Sequence, residues 1–423
     1  MRVLVVGNGG REHAMLHSLA RSPEKPELVA YPGREGFDPP ARVAAGGGGL
    51  SPVEILAAAR REGADLTLIG PEAPLVEGVA DLFAAEGMSL FGPSREAARL
   101  EGSKCFTKEV VAASGVPTAR SVIVRSMEDV PGAIAALGLP AAVKADGLAA
   151  GKGVVIAGTG EEAAAAARAF LVGKTLGGAG DTLLFEEFLR GEELSVLALV
   201  RDEDFVLFPP SRDYKRIGEG GTGPNTGGMG AISPVPGIDG GFLEEIGDRV
   251  FRPVLRTMRE RGAPYRGILY AGLMLTAEGP KLLEFNCRFG DPETQAVLER
   301  LEDDLLPRFA AVARGEWDPA PLRARDGAAA CVVLASAGYP AKAEKGDPIE
   351  GLDHGPPEGV LHLHAGTARR EGRWVTAGGR VLGVVARGAS VEEALARAYE
   401  EADKVRFRGK QMRRDIGKPG VQG

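Results

Sequence analysis

The chain has 423 residues, of which 44% are hydrophobic and 26% are charged, and its formal net charge is −7. This composition is typical of a globular protein of about two to four domains, and its acidic balance disfavours a general nucleic-acid binder. No apolar run reaches the roughly 18 residues of a membrane-spanning helix. The three cysteines, Cys105, Cys287 and Cys331, form neither a CxxC pair nor a disulfide framework. We therefore expect a cytoplasmic protein that binds neither nucleic acid nor membranes.

Residues 1–101 alternate strand-like and helix-like patterns. The apolar strand Arg2 to Val6 leads into a helix that runs to about Ala20, and a second helix pattern begins at Pro52. Further buried strands are predicted at 28–31, 66–69 and 89–91. Alternating β and α units with apolar strands indicate a parallel sheet covered by helices. We therefore expect an N-terminal, Rossmann-like α/β domain over residues 1–101.

After residue 101 the regular βα alternation ends. A helix is predicted at 103–114, followed by a small α+β module at about 120–190. The module contains a helix at 161–171 and strands at 121–124, 141–145, 154–157 and 182–188. The larger region then continues with strands at 194–200 and 205–209, a glycine-rich loop at 218–230, a helix at 242–261, and a hairpin of 268–276 with 281–286. We expect one domain over 102–315 with the module inserted in it.

The C-terminal part begins after a segment without periodicity. Residues 316–327 are rich in Pro, Arg and Asp, which predicts a linker. Beyond it, a helix begins at Val391 after strand-like runs at 329–336, 359–364 and 380–386. We expect residues 328–423 to form a compact α+β domain, so the predicted fold class is α/β and α+β, multidomain.

The strand Lys281-Leu-Leu-Glu-Phe-Asn286 is the strongest local signal of chemistry. Strand alternation directs Leu283 and Phe285 into a core and places Glu284 beside Asn286 on the other face. Two hard oxygen donors on one face suit a magnesium ion that also takes phosphate oxygens and water. A solvated strand face explains the same residues and stays open at this point.

Three cationic side chains suit phosphate chemistry. Arg288, which Asp291 follows closely, is placed to steady a transferring phosphoryl group, although a salt bridge explains it equally. Lys144 lies on an otherwise apolar strand, where a lysine is costly unless an anion pairs with it. Lys152 lies between two glycines without Walker A spacing, so we interpret it as a flap over phosphates; a hairpin turn with incidental lysines is the alternative.

Three further segments suit ligands. Phe185 to Ser195 can present backbone groups to adenine, with Glu193 on a ribose, or can be an acidic surface turn. The turn Gly7 to His13 opens a helix, but Glu12 stands where a dinucleotide fingerprint needs glycine, so we interpret it as an anion-binding helix N-terminus. The glycine-rich loop suits a small zwitterion, or is a surface loop. Its candidate polar groups are Asn225 and Thr226, together with Asp213 and Lys215 of the preceding segment 211–216.

In their order and spacing these blocks resemble the ATP-grasp superfamily and, within it, the glycinamide ribonucleotide synthetase family. The matching segments are GNGGREHA at 7–14, GPEAPLVEG at 70–78, FGPS at 91–94, EGSK at 101–104, KADGLAAGKGV at 144–154, EEFLRGEE at 186–193, GPNTGGMGA at 223–231, EFNCRFGDPETQ at 284–295, HAGT at 364–367, GGRVL at 378–382 and RRDIG at 413–417. The resemblance implies a pre-ATP-grasp N-terminal domain, an ATP-grasp domain with a flap subdomain, and a C-terminal domain. It also implies an ATP-dependent carbon–nitrogen ligase of purine biosynthesis that joins glycine to 5-phosphoribosylamine through glycyl phosphate.

The resemblance also implies roles for individual residues by position. The implied ATP-binding residues are Lys104, Lys144, Gly147, Lys152, Glu186, Glu187, Phe188 and Glu193. The implied ligands of Mg²⁺ or Mn²⁺ are Glu284 and Asn286, and the implied catalytic residues are Arg288, Lys152 and Asp291. The implied residues for glycine and phosphoribosylamine are Gly9, Gly10, Arg11, Glu12, Glu72, Asp213, Lys215, Asn225, Thr226, Gly227 and Arg288.

Departures from the family pattern lie near the expected substrates. Many relatives read PGNxGT where this chain has Pro32-Gly-Arg-Glu-Gly-Phe37, and QDHKR where it has Arg212-Asp-Tyr-Lys-Arg216. The strand before Glu284, Ala271 to Leu275, lacks a carboxylate that many ATP-grasp enzymes carry. Three alternatives stay open: another ATP-grasp ligase or carboxylase, a nicotinamide-dependent oxidoreductase, and a catalytically inactive nucleotide-binding regulator. We expect a monomer or weak oligomer.

Overall fold

The computed structural model describes residues 1–46, 48–149 and 151–418. Its N-terminal part is a five-stranded parallel sheet in the order β3-β2-β1-β4-β5. The elements are β1 (Arg2–Gly7), α1 (Gly10–Ala20), β2 (Glu27–Pro32), β3 (Arg42–Val43), α2 (Pro52–Glu62), β4 (Leu66–Ile69), α3 (Glu72–Val76), α4 (Val79–Ala85), β5 (Leu90–Phe91) and α5 (Arg95–Gly102). The predicted parallel sheet is confirmed, whereas the short elements β3 and α3 to α5 are absent from the prediction.

The inserted module is a four-stranded antiparallel sheet in the order β6-β9-β7-β8, which packs against two helices. Together with the helix that precedes it, the elements are α6 (Lys104–Ser114), β6 (Ser121–Val124), α7 (Val130–Leu137), β7 (Ala141–Ala145), β8 (Val154–Ala157), α8 (Gly160–Leu171) and β9 (Leu183–Glu187). All four predicted strands are present. The helix α7 was missed because Pro131 and Gly132 in its first turn hide the helical pattern.

The larger region is built on a second antiparallel sheet in the order β11-β10-β16-β17. The elements are β10 (Glu192–Asp202), β11 (Asp204–Leu207), β12 (Arg212–Asp213), β13 (Arg216–Gly218), β14 (Thr222–Asn225), β15 (Gly230–Ser233), α9 (Gly240–Ile246), α10 (Arg252–Glu260), β16 (Tyr265–Thr276), β17 (Gly279–Asn286), α11 (Glu293–Glu299) and α12 (Leu305–Ala313). The predicted loop at 218–230 is partly wrong, because the strand β14 lies within it and pairs with β13. The predicted helix at 242–261 is α9 and α10 joined by a π-helical turn.

A β-bulge in β17 changes which side chains enter the core. Gly272 pairs with Glu284 while its neighbour Leu273 pairs with Leu282, so Leu283 is an extra residue without a partner on β16. Leu282 and Phe285 are buried, whereas Leu283 is half-buried. The prediction that Leu283 points into the core is therefore wrong, because strict alternation fails at a bulge.

The C-terminal part contributes three strands to a five-stranded sheet in the order β12-β15-β18-β22-β19. Its elements are β18 (Ala328–Ala335), β19 (Val360–His364), β20 (Thr367–Arg370), β21 (Arg373–Thr376), β22 (Arg380–Gly388) and α13 (Val391–Lys404). The hairpin of β20 and β21 is absent from the prediction. Two strands of the preceding region belong to this sheet, because β15 pairs with β18. The predicted linker at 316–327 stays a prediction. The sheet contains strands from both sides of this segment.

The N-terminal sheet and the larger region also share apolar packing. One cluster of buried side chains contains Leu4 and Val29 of the first sheet together with Val196 and Phe251 of the larger region. This packing fixes the N-terminal turn after β1 relative to the end of β17. None of the described helices combines the length and the apolar character that crossing a bilayer requires.

Candidate active site

Glu284 and Asn286 lie at the end of β17, two positions apart beyond the bulge, and therefore share one face of the strand. Glu284 is paired with Gly272 on β16. A Cβ atom added at Gly272 would lie 3.4 Å from Glu284 Cγ. The residue of β16 opposite Glu284 is thus a glycine in close contact with it, and this position supplies no second carboxylate.

The Glu284 carboxyl is surrounded by cations. Burial raises its pKa, but four nearby cations together hold this pKa below its ordinary value. These cations are Lys215, Lys144, Lys104 and Arg288. Glu284 is therefore ionised at neutral pH in a positive neighbourhood. Such a neighbourhood suits a ligand that carries several negative charges.

Lys144, on the apolar strand β7, is paired with a carboxylate of the neighbouring strand β9. Its ammonium group forms an ion pair with Glu186 on β9, and Lys108 on α6 reaches the other oxygen of this carboxylate at 2.6 Å. Burial raises the pKa of Glu186, but the two lysines prevail and lower it. Because both oxygens are engaged, a contact of Glu186 with adenine would use its backbone. Lys108 is missing from the prediction, although its spacing from Lys104 places both on one helix face.

The end of β9 forms a polar and aromatic rim. Glu187 is half-buried, and its carboxylate accepts a hydrogen bond from Arg120 Nε at 2.7 Å. Phe188 follows the strand and is also half-buried. The guanidinium of Arg190 lies 5.8 Å from the centroid of the Phe188 ring. The rim therefore offers a ring face and backbone groups to a planar ligand.

Lys104 on α6 and Lys152 on the turn of the module have different environments. Lys104 begins α6 and its ammonium group donates to Gly147 O at 3.5 Å, while burial lowers the pKa of Lys104. Lys152 is exposed on the turn between β7 and β8. A Cβ atom added at Gly151 would lie 3.9 Å from Thr226 O, so this turn faces the glycine-rich loop.

Arg288 is held between two glutamates. Its Nη2 atom donates to Glu101 Oε1 at 2.8 Å and to Asn286 Oδ1 at 3.3 Å, and its Nε atom lies 3.3 Å from Glu72 Oε2. Glu101 also accepts the Cys287 N–H at 2.8 Å. Burial disfavours the charge of Arg288, but Glu101 and Glu72 outweigh this effect and raise its pKa. The sequence analysis includes Glu101 only within the segment EGSK and predicts no role for it, because its partners Arg288 and Cys287 are distant in the chain.

Asp291 has both carboxylate oxygens engaged. Its Oδ2 atom accepts from Arg380 Nη2 at 2.7 Å and its Oδ1 atom accepts from Gln295 Nε2 at 2.7 Å. The N-terminal turn approaches the same place, because a Cβ atom added at Gly9 would lie 3.7 Å from Asp291 Oδ2. A Cβ atom added at Gly10 would lie 3.0 Å from Gln295 Nε2. Asp291 therefore organises a junction rather than presenting a free carboxylate.

The N-terminal turn after β1 contains a buried carboxylate, that of Glu12. The Glu12 carboxylate accepts the Gly9 N–H at 2.7 Å and the Arg11 Nε–H at 2.6 Å. Arg11 also donates to Phe289 O at 3.2 Å, which joins this turn to the segment after β17. A buried glutamate at this N-terminus disfavours the pyrophosphate of a nicotinamide cofactor. Both carboxylate oxygens are already engaged, so Glu12 itself takes the place of the anion that the sequence analysis expects at this helix N-terminus.

Asp213 and Lys215 flank the other side of the site. Lys215 forms an ion pair with Glu193 and lies 3.9 Å from Asp213. Burial raises the pKa of Asp213 well above its ordinary value, with Lys215 opposing. Asp213 and Glu193 in turn raise the pKa of Lys215 against the effect of burial. Asp213 is buried while Lys215 and Glu193 are half-buried, so this polar cluster is partly open to solvent.

The glycine-rich loop is fixed by hydrogen bonds. Thr226 Oγ1 donates to Lys215 O at 2.7 Å, and Asn225 pairs with Arg216 in the short hairpin. The Gly227 N–H donates to Tyr339 Oη at 2.9 Å. The structure thus places Lys104, Lys144, Lys215 and Arg288, which come from four distant segments, around Glu284, and Lys152 is exposed on the turn that faces the glycine-rich loop.

The fold and the site define an ATP-grasp protein. The biotin carboxylase domain of Hydrogenobacter thermophilus 2-oxoglutarate carboxylase shares the fold, with a TM-score of 0.75 at 19% identity over 97% of this chain and 91% of that chain. The phosphoribosylglycinamide synthetase N, ATP-grasp (A) and C domains match residues 1–101, 102–294 and 329–419. The chain belongs to the phosphoribosylglycinamide synthetase family, so the predicted membership and fold class are confirmed.

Relatives match along nearly the full length. A phosphoribosylamine–glycine ligase of Streptomyces coelicolor is 46% identical over 420 residues and is covered to 98%, as is this chain. A ligase of the same name from Pseudomonas aeruginosa is 44% identical, covering 99% of this chain and 97% of the relative. The crystal structure of phosphoribosylamine–glycine ligase from Thermotoga maritima has a TM-score of 0.86 at 38% identity, over 98% of this chain and 100% of that chain.

Proposed function

We propose that this chain joins glycine to 5-phosphoribosylamine at the expense of ATP, giving glycinamide ribonucleotide, ADP and phosphate in purine biosynthesis. The proposal rests on full-length family membership. It is supported by one observation above all: the ionised Glu284 beside Asn286 lies among the lysines of α6 and β7. That arrangement has the charge pattern of a site for a metal-bound triphosphate.

The donor set at β17 fits Mg²⁺ or Mn²⁺. Glu284 offers a carboxylate and Asn286 an amide oxygen, both hard donors. The described residues include no group of three or more His, Cys, Asp or Glu side chains able to hold a metal. Phosphate oxygens and water would therefore complete the coordination, as is usual for Mg²⁺. When bound, the metal would neutralise phosphate charge and favour phosphoryl transfer.

The nucleotide would lie between the module and the end of β17. Lys104 and Lys144 would meet its phosphates, and Lys144 would exchange part of its pairing with Glu186 for a phosphate. Gly147 and the exposed Lys152 would cover the phosphates as the flap closes. The rim of Glu186, Glu187 and Phe188 would hold adenine, and Glu193 the ribose hydroxyls.

The reaction proceeds in two steps in this proposal. A glycine carboxylate oxygen attacks the γ-phosphorus, the bond to the β-phosphate oxygen breaks, and glycyl phosphate and ADP form. The amine of phosphoribosylamine then attacks the glycyl carbonyl carbon, phosphate leaves, and the nitrogen releases a proton. Arg288 would stabilise charge on the transferring group. Lys152 would exclude water from the acyl phosphate, and Asp291 would hold the loops around it.

The two small substrates would occupy the cleft between the N-terminal turn and the glycine-rich loop. The surfaces that face this cleft carry both charges, which suits an amino acid and a phosphorylated amine. The proposed substrate residues are Gly9, Gly10, Arg11, Glu12, Glu72, Asp213, Lys215, Asn225, Thr226, Gly227 and Arg288. We further propose that the protein acts in the cytoplasm as a monomer or weak oligomer.

An ADP-release assay tests the proposal. Glycine and freshly made phosphoribosylamine are added to enzyme, Mg²⁺ and ATP, separately and then together. We expect sustained ADP release only with both substrates, and glycinamide ribonucleotide as the product. Equal release with bicarbonate or with another amino acid in place of glycine would instead favour another ATP-grasp ligase or carboxylase.

A further inference from the structure

The C-terminal part holds one residue of the glycine-rich loop, Gly227, through both of its backbone polar groups. Tyr339 Oη accepts the Gly227 N–H at 2.9 Å, and Arg380 Nη1 donates to Gly227 O. Tyr339 follows β18 and Arg380 begins β22, so both side chains come from beyond the predicted linker. A Cβ atom added at Gly227 would lie 3.0 Å from Arg380 Cζ. The loop and the arginine are thus closely packed.

The same arginine holds the turn after β17. Arg380 Nη1 donates to Asp291 O at 2.9 Å and Nη2 donates to Asp291 Oδ2 at 2.7 Å. The Arg380 side chain is 22% exposed and that of Asp291 is 16% exposed, so water screens this pair weakly. The planar guanidinium can bridge two backbone carbonyls and a carboxylate at once, which a lysine ammonium cannot do with the same geometry.

The two segments that Arg380 joins also touch each other. A Cβ atom added at Gly228 would overlap Pro292, so the loop fits against the turn only because residue 228 is glycine. The N-terminal turn reaches the same carboxylate through Gly9. Arg380 therefore lies behind the point where three parts of the chain meet at the cleft.

We propose that Arg380 and Tyr339 are positioning residues through which the C-terminal part sets the affinity for the two non-nucleotide substrates. They lock Gly227, a proposed substrate residue, and Asp291 in one relative placement, and Asp291 lies against Gly9 of the N-terminal turn. The proposal rests on the proposed function. It predicts that loosening the lock impairs binding of glycine and phosphoribosylamine while binding of ATP is maintained.

Kinetics of Arg380→Met, Tyr339→Phe and Arg373→Met test this inference. Arg373 lies exposed on β21 of the same part of the chain and serves as the control. We expect Arg380→Met to raise the KM for glycine, for phosphoribosylamine or for both by about tenfold or more, since displacement by about 1 Å has effects of that size. Tyr339→Phe removes one hydrogen bond and should give a smaller rise of the same kind. The KM for ATP should stay within about twofold in all three.

The outcomes separate this inference from the proposed function. If the wild-type protein shows no release of ADP that depends on both substrates, the proposed function fails. If the wild type is active but Arg380→Met keeps both substrate KM values, or raises the KM for ATP equally, the positioning role is refuted. If Arg380→Met does not fold, Tyr339→Phe decides: unchanged KM values for both small substrates in this folded variant would overturn the inference.

Discussion

Replacing Glu101 by glutamine tests whether the orientation of Arg288 is set from α5. Glutamine keeps an acceptor for the Cys287 N–H, at 2.8 Å in the structure, but removes the charge that meets Arg288 Nη2 at 2.8 Å. A hydrogen bond to a charged group is worth about 1.5–3 kcal/mol. Because Glu72 still lies 3.3 Å from Arg288 Nε, we take about 2 kcal/mol as the loss. If this loss falls on the transition state, it corresponds to a roughly 30-fold lower kcat.

The assay is ADP release at saturating glycine and phosphoribosylamine, with ATP varied. We expect Glu101→Gln to lower kcat about 30-fold, with a smaller change in the KM for ATP, because Glu101 contacts Arg288 directly and acts on Lys104 only through a weaker electrostatic interaction. Glu96→Gln on the same helix is the matched control, since Glu96 is 55% exposed and pairs with Arg99 on the surface. A kcat of Glu101→Gln within about threefold of wild type would refute the reasoning.

Three further predictions concern the metal, an acid transition and a glycine. Glu284→Gln should lower turnover at least about a hundredfold and raise the Mg²⁺ concentration that gives half-maximal rate, because one of the two proposed protein ligands loses its charge. Burial lowers the pKa of His364 from 6.5 to about 4. The unfolded chain therefore takes up this proton first, and His364 alone should contribute about 3 kcal/mol to the fall in the free energy of unfolding between pH 6.5 and 4. Burial also lowers the pKa of His17 to about 4, so urea titrations of His364→Gln should show a fall that is smaller by this amount but still present. Gly70→Ala should cost about 1–3 kcal/mol of unfolding free energy, because the added methyl overlaps the buried Glu12 carboxylate.

Each of these has an internal control. Glu278→Gln removes a charge that is 77% exposed at the hairpin of β17 and should keep the Mg²⁺ dependence. His354 is exposed, so His354→Gln should keep the wild-type acid transition. Nothing lies within 4 Å of a Cβ atom added at Gly132, so Gly132→Ala in α7 should not destabilise the fold. A Mg²⁺ requirement unchanged in Glu284→Gln, an acid transition unchanged in His364→Gln, or full stability in Gly70→Ala would contradict the corresponding prediction.

The sequence predicts well those features that depend on local periodicity. The parallel N-terminal sheet, the strands of the module and the placement of Glu284 and Asn286 on one face of β17 all follow from alternation and apolar runs. The inward direction of Leu283 does not follow, because a bulge depends on how two strands register and not on either strand alone.

Two of the residues missed at the site, Glu101 and Arg380, could not be identified because their partners are distant in the chain. Glu101 meets a residue 187 positions away, and Arg380 meets one 89 positions away. A glutamate at a helix end or an arginine at a strand start has many ordinary explanations until the fold brings its partner close. Lys108 differs, since helical spacing from Lys104 was available and could have identified it.

The shared sheet has a consequence for anyone who dissects this chain. Cutting the chain in the segment before β18 would remove β18 from one side of β15. The backbone amides and carbonyls along that edge of β15 would then be unpaired. A truncated N-terminal fragment would then invite edge-to-edge aggregation, and an isolated C-terminal fragment would lack two of its five strands. Chimaeras between relatives should therefore exchange β12, β15 and the C-terminal part as one unit.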